Sequence, residues 1–314
     1  MSVGLNIKKR RYELRMSQQE LAYKMGYKTR STIAKIESGE NDVSQKKLQK
    51  FAAVLDTTAE ALIGGYSQTS SALNSSPSPS QVLGEKCAAI ILAGGKTGVN
   101  SKNIPNQFIE INGKPILVYC MEIYQAHPMV DDVLVVCLKG WEQIVKAYAK
   151  QFGITKLKQV VTGGKSGVES LKNGFEYLKD KYRPSDFIII QESTRPMVTV
   201  ETISRLLLAC SESGSATISH AMDNYVQFNI SGEYPEYLER GSIVAMQSPE
   251  AHRVSILREV FELADKAGLP LTESCCTMLM YNLGLDINFI EGNINNVKIE
   301  RDEDILRFSA LYKK

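Results

Sequence analysis

A stretch of low complexity divides this chain of 314 residues and limits how the chain can fold. Residues 67–80 read S-Q-T-S-S-A-L-N-S-S-P-S-P-S, and a segment of Ser, Pro and Asn cannot bury enough apolar surface to fold by itself. Each side of this stretch must therefore build its own core. A chain of 314 residues is also longer than a typical domain of roughly 100–200 residues, which favours two domains. We predict a small domain at residues 1–65, a flexible linker at 66–85 and a larger domain at 86–314.

The two predicted domains differ in charge. Residues 1–65 contain twelve Lys or Arg and seven Asp or Glu, a net charge of +5. The remainder contains 25 Lys or Arg and 28 Asp or Glu, a net charge of −3. The small domain is therefore the basic one.

No segment predicts export or insertion into a membrane. The longest apolar runs, such as 87–93, are far shorter than the roughly 18–20 residues that cross a bilayer. The basic residues at 8–11 are followed by no apolar stretch, so we expect a cytoplasmic protein with no membrane partner. The six cysteines form no C-x-x-C pair and the three histidines are widely spaced, which favours buried thiols over disulfides or a zinc site.

Short helical patterns follow one another in the small domain. Ser17 and Glu20 form a capping-box pattern, Gly26 ends that helix, and the next helix carries Ile33 and Ile36 at helical spacing. Three stretches, S-Q-Q-E-L-A-Y-K-M-G, S-T-I-A-K-I-E-S-G and L-Q-K-F-A-A-V-L-D, occur in this order. Together they resemble the phage-repressor (Cro/repressor, XRE-like) helix-turn-helix family across residues 5–63.

That resemblance implies binding of double-stranded DNA, with the helix at 29–37 in the major groove. Short polar and basic side chains on an exposed helix can reach base edges, while lysines neutralise phosphates. The residues expected to contact DNA are Gln18, Lys28, Thr29, Arg30, Ser31, Thr32 and Lys35. The alternative is a small helical protein-interaction module that does not bind DNA.

Strands and helices alternate in the larger domain. The apolar run 87–92 suits a buried parallel strand, and Gly94 and Gly95 follow it closely. Further strands are predicted at 132–137, 157–161, 187–191, 216–220 and 288–291, and helices at 116–125, 141–152, 168–178, 200–211, 255–267 and 273–283. This order predicts a doubly wound, Rossmann-like α/β fold behind the small all-α domain. Such sheets bind ligands at the carboxyl ends of their strands.

An ordered set of motifs lies in the loops of this domain. L-A-G-G-K-T-G at 92–98 is followed by G-G-K-S-G-V-E-S-L-K-N-G at 163–174, Q-E-S-T-R-P-M-V-T at 191–199, Q-S-P-E at 247–250 and N-V-K-I at 296–299. Their order and spacing resemble the cytidylyltransferases that activate methylerythritol phosphate or ribitol phosphate, over residues 86–312. The resemblance implies a nucleotidyltransferase domain with a parallel-dominated mixed sheet. It also implies an enzyme in which a phosphate oxygen of a polyol phosphate attacks the α-phosphorus of CTP, with Mg²⁺ bridging the phosphates.

The same resemblance implies roles for individual residues. Nucleotide contacts are implied for Ala93, Gly94, Gly95, Gly163, Gly164 and Ser170. Contacts to the acceptor phosphate are implied for Arg240 and Thr272, an α-phosphate contact for Lys298, and a ribose and metal contact for Glu192.

Several charges of the family pattern are missing from this chain. The two cations that clamp the triphosphate fall on Val99 or Asn100 and on Asn106, and the arginine of G-G-x-x-R is replaced by Gly167. Gln191 and Glu192 replace H-D, and Glu273 replaces the Asp of T-D. Lys96 and Lys102, in the first loop, could supply displaced cations.

Two functions therefore stay open. The first is an enzyme that makes a CDP-polyol and is tethered to a DNA-binding domain. The second is a transcription regulator whose degenerate domain senses a nucleotide, a CDP-polyol or a polyol phosphate without reacting.

We also expect a homodimer. Repressor-like modules usually read paired half-sites, and the enzyme family buries a protruding arm that corresponds here to residues 222–243. The aromatic residues of this arm would be exposed unless a partner covers them. They are Tyr225, Phe228, Tyr234 and Tyr237.

Overall fold

The computed structural model describes residues 3–14, 16–27, 29–37, 41, 43–59, 62, 84–95, 104–222, 226–232 and 234–312. The chain divides into two compact units, Met1–Ser76 and Pro77–Lys314. The predicted linker lies almost wholly outside the described residues, so its boundaries stay a prediction. Among the described residues, no helix is both long enough and apolar enough to span a bilayer.

The first unit is all helical. Its helices are α1 (Val3–Glu13), α2 (Gln18–Met25), α3 (Ser31–Glu37) and α4 (Gln45–Val54). The predicted capping box is present, because Ser17 Oγ accepts a hydrogen bond from the Glu20 N–H while the Glu20 carboxylate accepts one from the Ser17 N–H. Gly26 ends α2 with φ 83°, a left-handed conformation that glycine adopts without strain. The core is built from side chains of all four helices, including Ile7, Leu21, Ile33 and Phe51.

A seven-stranded sheet forms the centre of the second unit. Its long strands are β1 (Cys87–Ala93), β4 (Asp132–Cys137), β5 (Leu157–Thr162), β6 (Phe187–Glu192), β7 (Ser215–Ala221) and β10 (Val244–Arg253), with the short β11 (Phe289–Glu291) at one edge. The strand order is β11-β7-β10-β6-β1-β4-β5. All neighbours are parallel except β10, which runs antiparallel to β6 and β7.

Helices cover both faces of this sheet. They are α5 (Ile116–Ala126), α6 (Glu142–Gln151), α7 (Gly167–Leu178), α8 (Val200–Ser213), α9 (Val254–Ala267) and α10 (Cys276–Asn282). Successive residues of β1 point to opposite faces, so Ala89 and Ile91 pack with α5 and α8, whereas Ala88 and Ile90 pack with α7 and α9. The predicted doubly wound fold with a mainly parallel mixed sheet is therefore confirmed.

Six elements of the second unit were not predicted from the sequence. They are β10, the hairpins β2 (Glu110–Ile111) with β3 (Lys114–Pro115) and β8 (Gln227–Asn229) with β9 (Glu236–Leu238), and the last helix α11 (Asp302–Leu311). The strand β10 reads V-A-M-Q-S-P-E-A-H-R, and because this sequence lacks an apolar run it does not predict a strand. Its Gln, Glu and His side chains can lie in the interior because they find polar partners there. The helix predicted at 273–283 begins only at Cys276, because residues 272–275 form a loop.

Candidate functional site

The carboxyl ends of β1, β5 and β6 open onto one cleft of about 460 Å³. Leu92 pairs with Glu192 in the register of β1 and β6, so the loops after these two strands begin side by side. The turn after β5 leads into α7, whose N-terminus is capped by Ser166. The cleft is lined by Leu92, Gly94, Gly95, Asn106, Gln107, Gly164, Lys165, Ser166, Gly167, Ser170, Glu192, Ser193, Thr194, Ser274, Lys298, Ile299 and Glu300.

Backbone rather than side chains forms one wall of the cleft. The buried Ser170 hydroxyl accepts a hydrogen bond from the Gly164 N–H at 3.0 Å and donates one to the Ser166 carbonyl at 2.8 Å. A Cβ atom at Gly163 would lie 3.0 Å from Ser170 Oγ, so the turn packs tightly on this hydroxyl. Glycine at 94, 95 and 164 lets a ligand approach the main chain and its N–H groups closely.

A group of paired charges lies opposite this wall. Glu192 accepts hydrogen bonds from Arg195 Nε at 2.5 Å and from Lys298 Nζ at 3.0 Å, and Lys298 also lies 3.0 Å from Glu300. Burial alone would raise the pKa of Glu192, but Arg195 and Lys298 outweigh it and hold the pKa below its ordinary value. Burial would lower the pKa of Lys298, but the two carboxylates raise it overall. Both groups are therefore charged near neutral pH.

A buried polar network fixes the position of Glu192. Gln191 accepts a hydrogen bond from the Tyr124 hydroxyl at 2.7 Å and donates to Ser248 Oγ at 3.1 Å. Ser248 Oγ in turn accepts the Glu192 N–H at 3.0 Å. The guanidinium of Arg195 donates to the Asn296 carbonyl at 2.9 Å, which ties the strand β6 to the segment that carries Lys298.

A second, smaller cavity of about 230 Å³, here called the side cavity, adjoins the cleft. Its lining shares Leu92, Glu192, Ser274 and Lys298 with the cleft. The rest of its lining comes from Ile190, Arg195, Met246, Gln247, Ser248, Glu250 and Cys275. The pair of Glu192 and Lys298 therefore stands where the two cavities meet.

The structure brings together most of the site residues predicted in the larger domain. Six of them line the cleft: Gly94, Gly95, Gly164, Ser170, Glu192 and Lys298. Ala93 is buried behind the cleft, where its carbonyl accepts a hydrogen bond from the Gln107 amide at 2.8 Å, and Gly163 lies under Ser170. Arg240 and Thr272 are exposed and line neither cavity in a single chain. Lys96 and Lys102 lie outside the described residues.

No role for Arg195, Ser248 or Asn296 was predicted from the sequence. All three lie inside the motifs at 191–199, 247–250 and 296–299. The motifs could not show that these residues meet around Glu192: Arg195 binds its carboxylate, Ser248 accepts its N–H, and the Asn296 carbonyl holds Arg195.

In the helical unit, the predicted DNA-contacting residues lie around the start of α3. Thr29, Arg30, Ser31 and Lys35 are exposed, and Thr32 is half-buried, while Lys28 lies outside the described residues. Gln18 donates to Glu37 at 2.8 Å and so helps to hold α2 against α3. Glu37 also forms a buried ion pair with Arg11 at 2.7 Å.

An α/β sheet with helices on both faces, and with a glycine loop beside a lysine–carboxylate pair at the carboxyl ends of its strands, is the arrangement of a nucleotide-binding domain. The comparisons with known proteins name the family. The profile of 2-C-methyl-D-erythritol 4-phosphate cytidylyltransferase matches residues 87–314, and that of a helix-turn-helix family matches residues 7–62. The chain therefore belongs to the 2-C-methyl-D-erythritol 4-phosphate cytidylyltransferase family, with a helix-turn-helix unit in front of the family domain.

The individual relatives are named after two different acceptor substrates. A ribitol-5-phosphate cytidylyltransferase from Lacticaseibacillus paracasei is 30% identical over 228 residues, which cover 72% of this chain and 97% of that protein. A 2-C-methyl-D-erythritol 4-phosphate cytidylyltransferase from Syntrophus aciditrophicus is 29% identical over 231 residues, covering 73% and 97%. A solved 4-diphosphocytidyl-2C-methyl-D-erythritol synthase from Anaerococcus prevotii shares the fold with a TM-score of 0.62 at 19% identity, covering 74% of this chain and 100% of that one.

Proposed function

We propose that the larger unit transfers CMP from CTP to a polyol phosphate, giving a CDP-polyol and pyrophosphate. The observation that carries the proposal is the meeting of the cleft and the side cavity at Glu192 and Lys298. Two substrates that react at one phosphorus must be held next to each other, with a charged group beside the reacting atoms, and two adjoining cavities that meet at a lysine provide this. CTP would occupy the cleft, and the polyol phosphate would occupy the side cavity.

In-line displacement accounts for this transfer without a protein nucleophile. A phosphate oxygen of the acceptor forms a bond to the α-phosphorus, the bond from that phosphorus to the bridging oxygen breaks, and pyrophosphate leaves with the electron pair. The protonated Lys298 would stabilise negative charge at the α-phosphate, and Glu192 would keep the ammonium group in place. Arg195 would hold Glu192 in turn.

The residues of the cleft are compatible with Mg²⁺. Among the described residues no three His, Cys, Asp or Glu side chains form a group that could hold a metal, so phosphate oxygens of CTP would have to complete the coordination. This suits Mg²⁺, which is commonly held by one or two carboxylates together with substrate phosphates. Glu192, ionised at neutral pH, would be the protein ligand. The ion would neutralise charge on the phosphates when bound.

Release of pyrophosphate from CTP tests the proposal, with ribitol 5-phosphate and 2-C-methyl-D-erythritol 4-phosphate as acceptors. We expect Lys298→Met to lower kcat by about 10²–10³, the usual effect of removing one charge-stabilising group. The matched control is Lys158→Met. Lys158 lies on the edge strand β5, its side chain is half exposed, and its ammonium group lies 3.6 Å from the Asp132 carboxylate. Equal rates for the two variants would contradict the role given to Lys298.

A second candidate function is favoured by Asn106 and Gly167. Both line the cleft at positions where the family pattern has cations, so the described part of the cleft has fewer positive charges for a triphosphate. A chain that binds CTP or a polyol phosphate in calorimetry but releases no pyrophosphate would be a sensor that regulates transcription. A chain that binds neither would contradict both candidates.

For the helical unit we propose recognition of double-stranded DNA through the start of α3. The support is the exposure of Thr29, Arg30, Ser31 and Lys35 on one short stretch. We expect Arg30→Ala and Lys35→Ala to weaken binding to an upstream DNA fragment by about tenfold, and affinity to fall steeply with salt. Lys158→Ala, with the same loss of charge in the other unit, should leave binding unchanged. A complex that is insensitive to salt would contradict the proposal.

We further propose that the protein acts as a homodimer in the cytoplasm. The arm aromatics Phe228, Tyr234 and Tyr237 are more than half exposed in the single chain, as an interface would require. Dimers would also present two helix-turn-helix units to paired half-sites. Six free thiols suit a reducing compartment. A DNA partner and a CTP substrate suit a compartment that contains DNA.

A further inference from the structure

Gly167 stands where the family pattern carries an arginine, and main chain fills the space of that side chain. A Cβ atom at Gly167 would overlap the carbonyl oxygen and carbon of Ser274. Because the obstacle is backbone, no change of side-chain rotamer relieves the overlap. Any larger residue at 167 must therefore push the segment 271–274 away from the turn that precedes α7.

Two hydrogen bonds hold segment 271–274 against this turn, one on each side of Gly167. Ser166 Oγ donates to the Leu271 carbonyl, and the Val168 N–H donates to the Glu273 carbonyl at 3.1 Å. Just beyond the segment, the buried Glu250 carboxylate accepts the Cys276 N–H at 3.0 Å. The segment is thus held between the nucleotide-side turn and the strand β10.

The position of this segment decides the shape of the side cavity. Ser274 lines both the cleft and the side cavity, so a displaced segment changes the wall that an acceptor would contact. The bond from the Gly164 N–H to Ser170, on the nucleotide side of the turn, does not involve Gly167. Gly167 itself lines the cleft, but an added Cβ would meet the Ser274 main chain, and the next residue, Cys275, lines only the side cavity. A change at 167 should therefore act mainly through segment 271–274 and affect the acceptor chamber more than the nucleotide wall.

We infer that Gly167 is a positioning residue for acceptor binding: its missing side chain lets segment 271–274 lie directly on the nucleotide turn and sets the wall of the side cavity. The inference rests on the proposed function, which makes the side cavity the acceptor chamber. It also explains why the family arginine is absent here, since an arginine and this packing of the segment cannot coexist.

Calorimetric titration of the full-length protein tests the inference, with CTP, ribitol 5-phosphate and 2-C-methyl-D-erythritol 4-phosphate as separate ligands. Gly167→Ala adds the obstructing carbon. Ser166→Gly removes the donor to Leu271 without adding a charge to the cleft, and glycine is well tolerated at a helix N-cap. Lys172→Ala is the control, because Lys172 lies on the same helix but contacts Asp265 at 3.2 Å and the Phe261 ring at 5.8 Å, away from both cavities.

We expect Gly167→Ala and Ser166→Gly to raise the Kd of the acceptor at least tenfold while the Kd of CTP changes less than threefold, and Lys172→Ala to change neither. An acceptor Kd within twofold of wild type in Gly167→Ala would overturn the inference. An equal loss of both affinities would also overturn it, because that pattern indicates general damage to the site. If wild type binds neither acceptor, the proposed function fails first and the inference fails with it.

Discussion

At the scale of single residues, Asn106 illustrates how a lost charge can be replaced by a structural contact. Its side chain is buried in the cleft wall, and its amide nitrogen lies 3.4 Å from the Ile299 carbonyl oxygen, next to Lys298 in the chain. We expect Asn106→Lys to lower the Kd of CTP by about tenfold, because a charge-assisted hydrogen bond to phosphate contributes roughly 1.5–3 kcal/mol. Calorimetry checks this, with Asn106→Met as an uncharged control of similar length. If Met improves binding as much as Lys does, the effect is not one of charge.

His127 gives a prediction about pH at the same scale. Its ring is buried, Nδ1 accepts the Met129 N–H at 3.2 Å, and burial lowers its pKa from 6.5 to about 4. Between these two values the unfolded chain binds the proton and the folded chain does not, so stability falls as pH falls through this window, by up to about 1.4 kcal/mol per pH unit. Urea unfolding followed by fluorescence of the one tryptophan, Trp141, reports on this unit.

The matched variant for this prediction is His127→Gln, which cannot titrate. The difference in unfolding free energy between wild type and His127→Gln should shrink as pH falls from 7 to 4.5, because only wild type loses this contribution. A difference that is constant over this range would refute the assignment to His127.

At the scale of elements, the short helix α10 depends on a carboxylate from a neighbouring strand. The buried Glu250 of β10 accepts the N–H groups of Cys276 and Thr277 at 3.0 and 2.9 Å, so it supplies the cap that the helix's own sequence lacks. We expect Glu250→Gln to lower the free energy of unfolding by about 2–3 kcal/mol, since hydrogen bonds to charged groups contribute about 1.5–3 kcal/mol. Urea unfolding measures this loss. Glu262→Gln, an exposed control paired with Lys266 at 3.9 Å, should lose less than about 0.5 kcal/mol.

At the scale of the whole molecule, the proposed dimer depends on the arm at residues 222–243. Phe228 and Tyr237 pack edge to face at 6.0 Å across the hairpin β8–β9, yet remain 54% and 53% exposed. We expect the protein to sediment as a dimer at micromolar concentration and Phe228→Asp to sediment as a monomer, because a charge cannot be buried unpaired in an apolar interface. Tyr281→Asp changes a more exposed aromatic residue on α10, 66% exposed, and should remain dimeric. A wild-type monomer at this concentration would remove the basis for the dimer.

By itself, the sequence determined what depends on near neighbours along the chain. The capping box at Ser17, the buried strand β1 and the glycine loop after it all follow from short-range spacing, because caps, turns and alternating burial involve residues a few positions apart. The ordered motifs also drew attention to Glu192 and Lys298, through the roles that the family resemblance implies. The tertiary structure alone decided which distant groups meet. It places β10 between β6 and β7, antiparallel to both strands. It also brings Lys298 beside Glu192 and Ser274 against Gly167. Such contacts depend on strand order and packing across the sheet, and local patterns in the sequence carry no information about them.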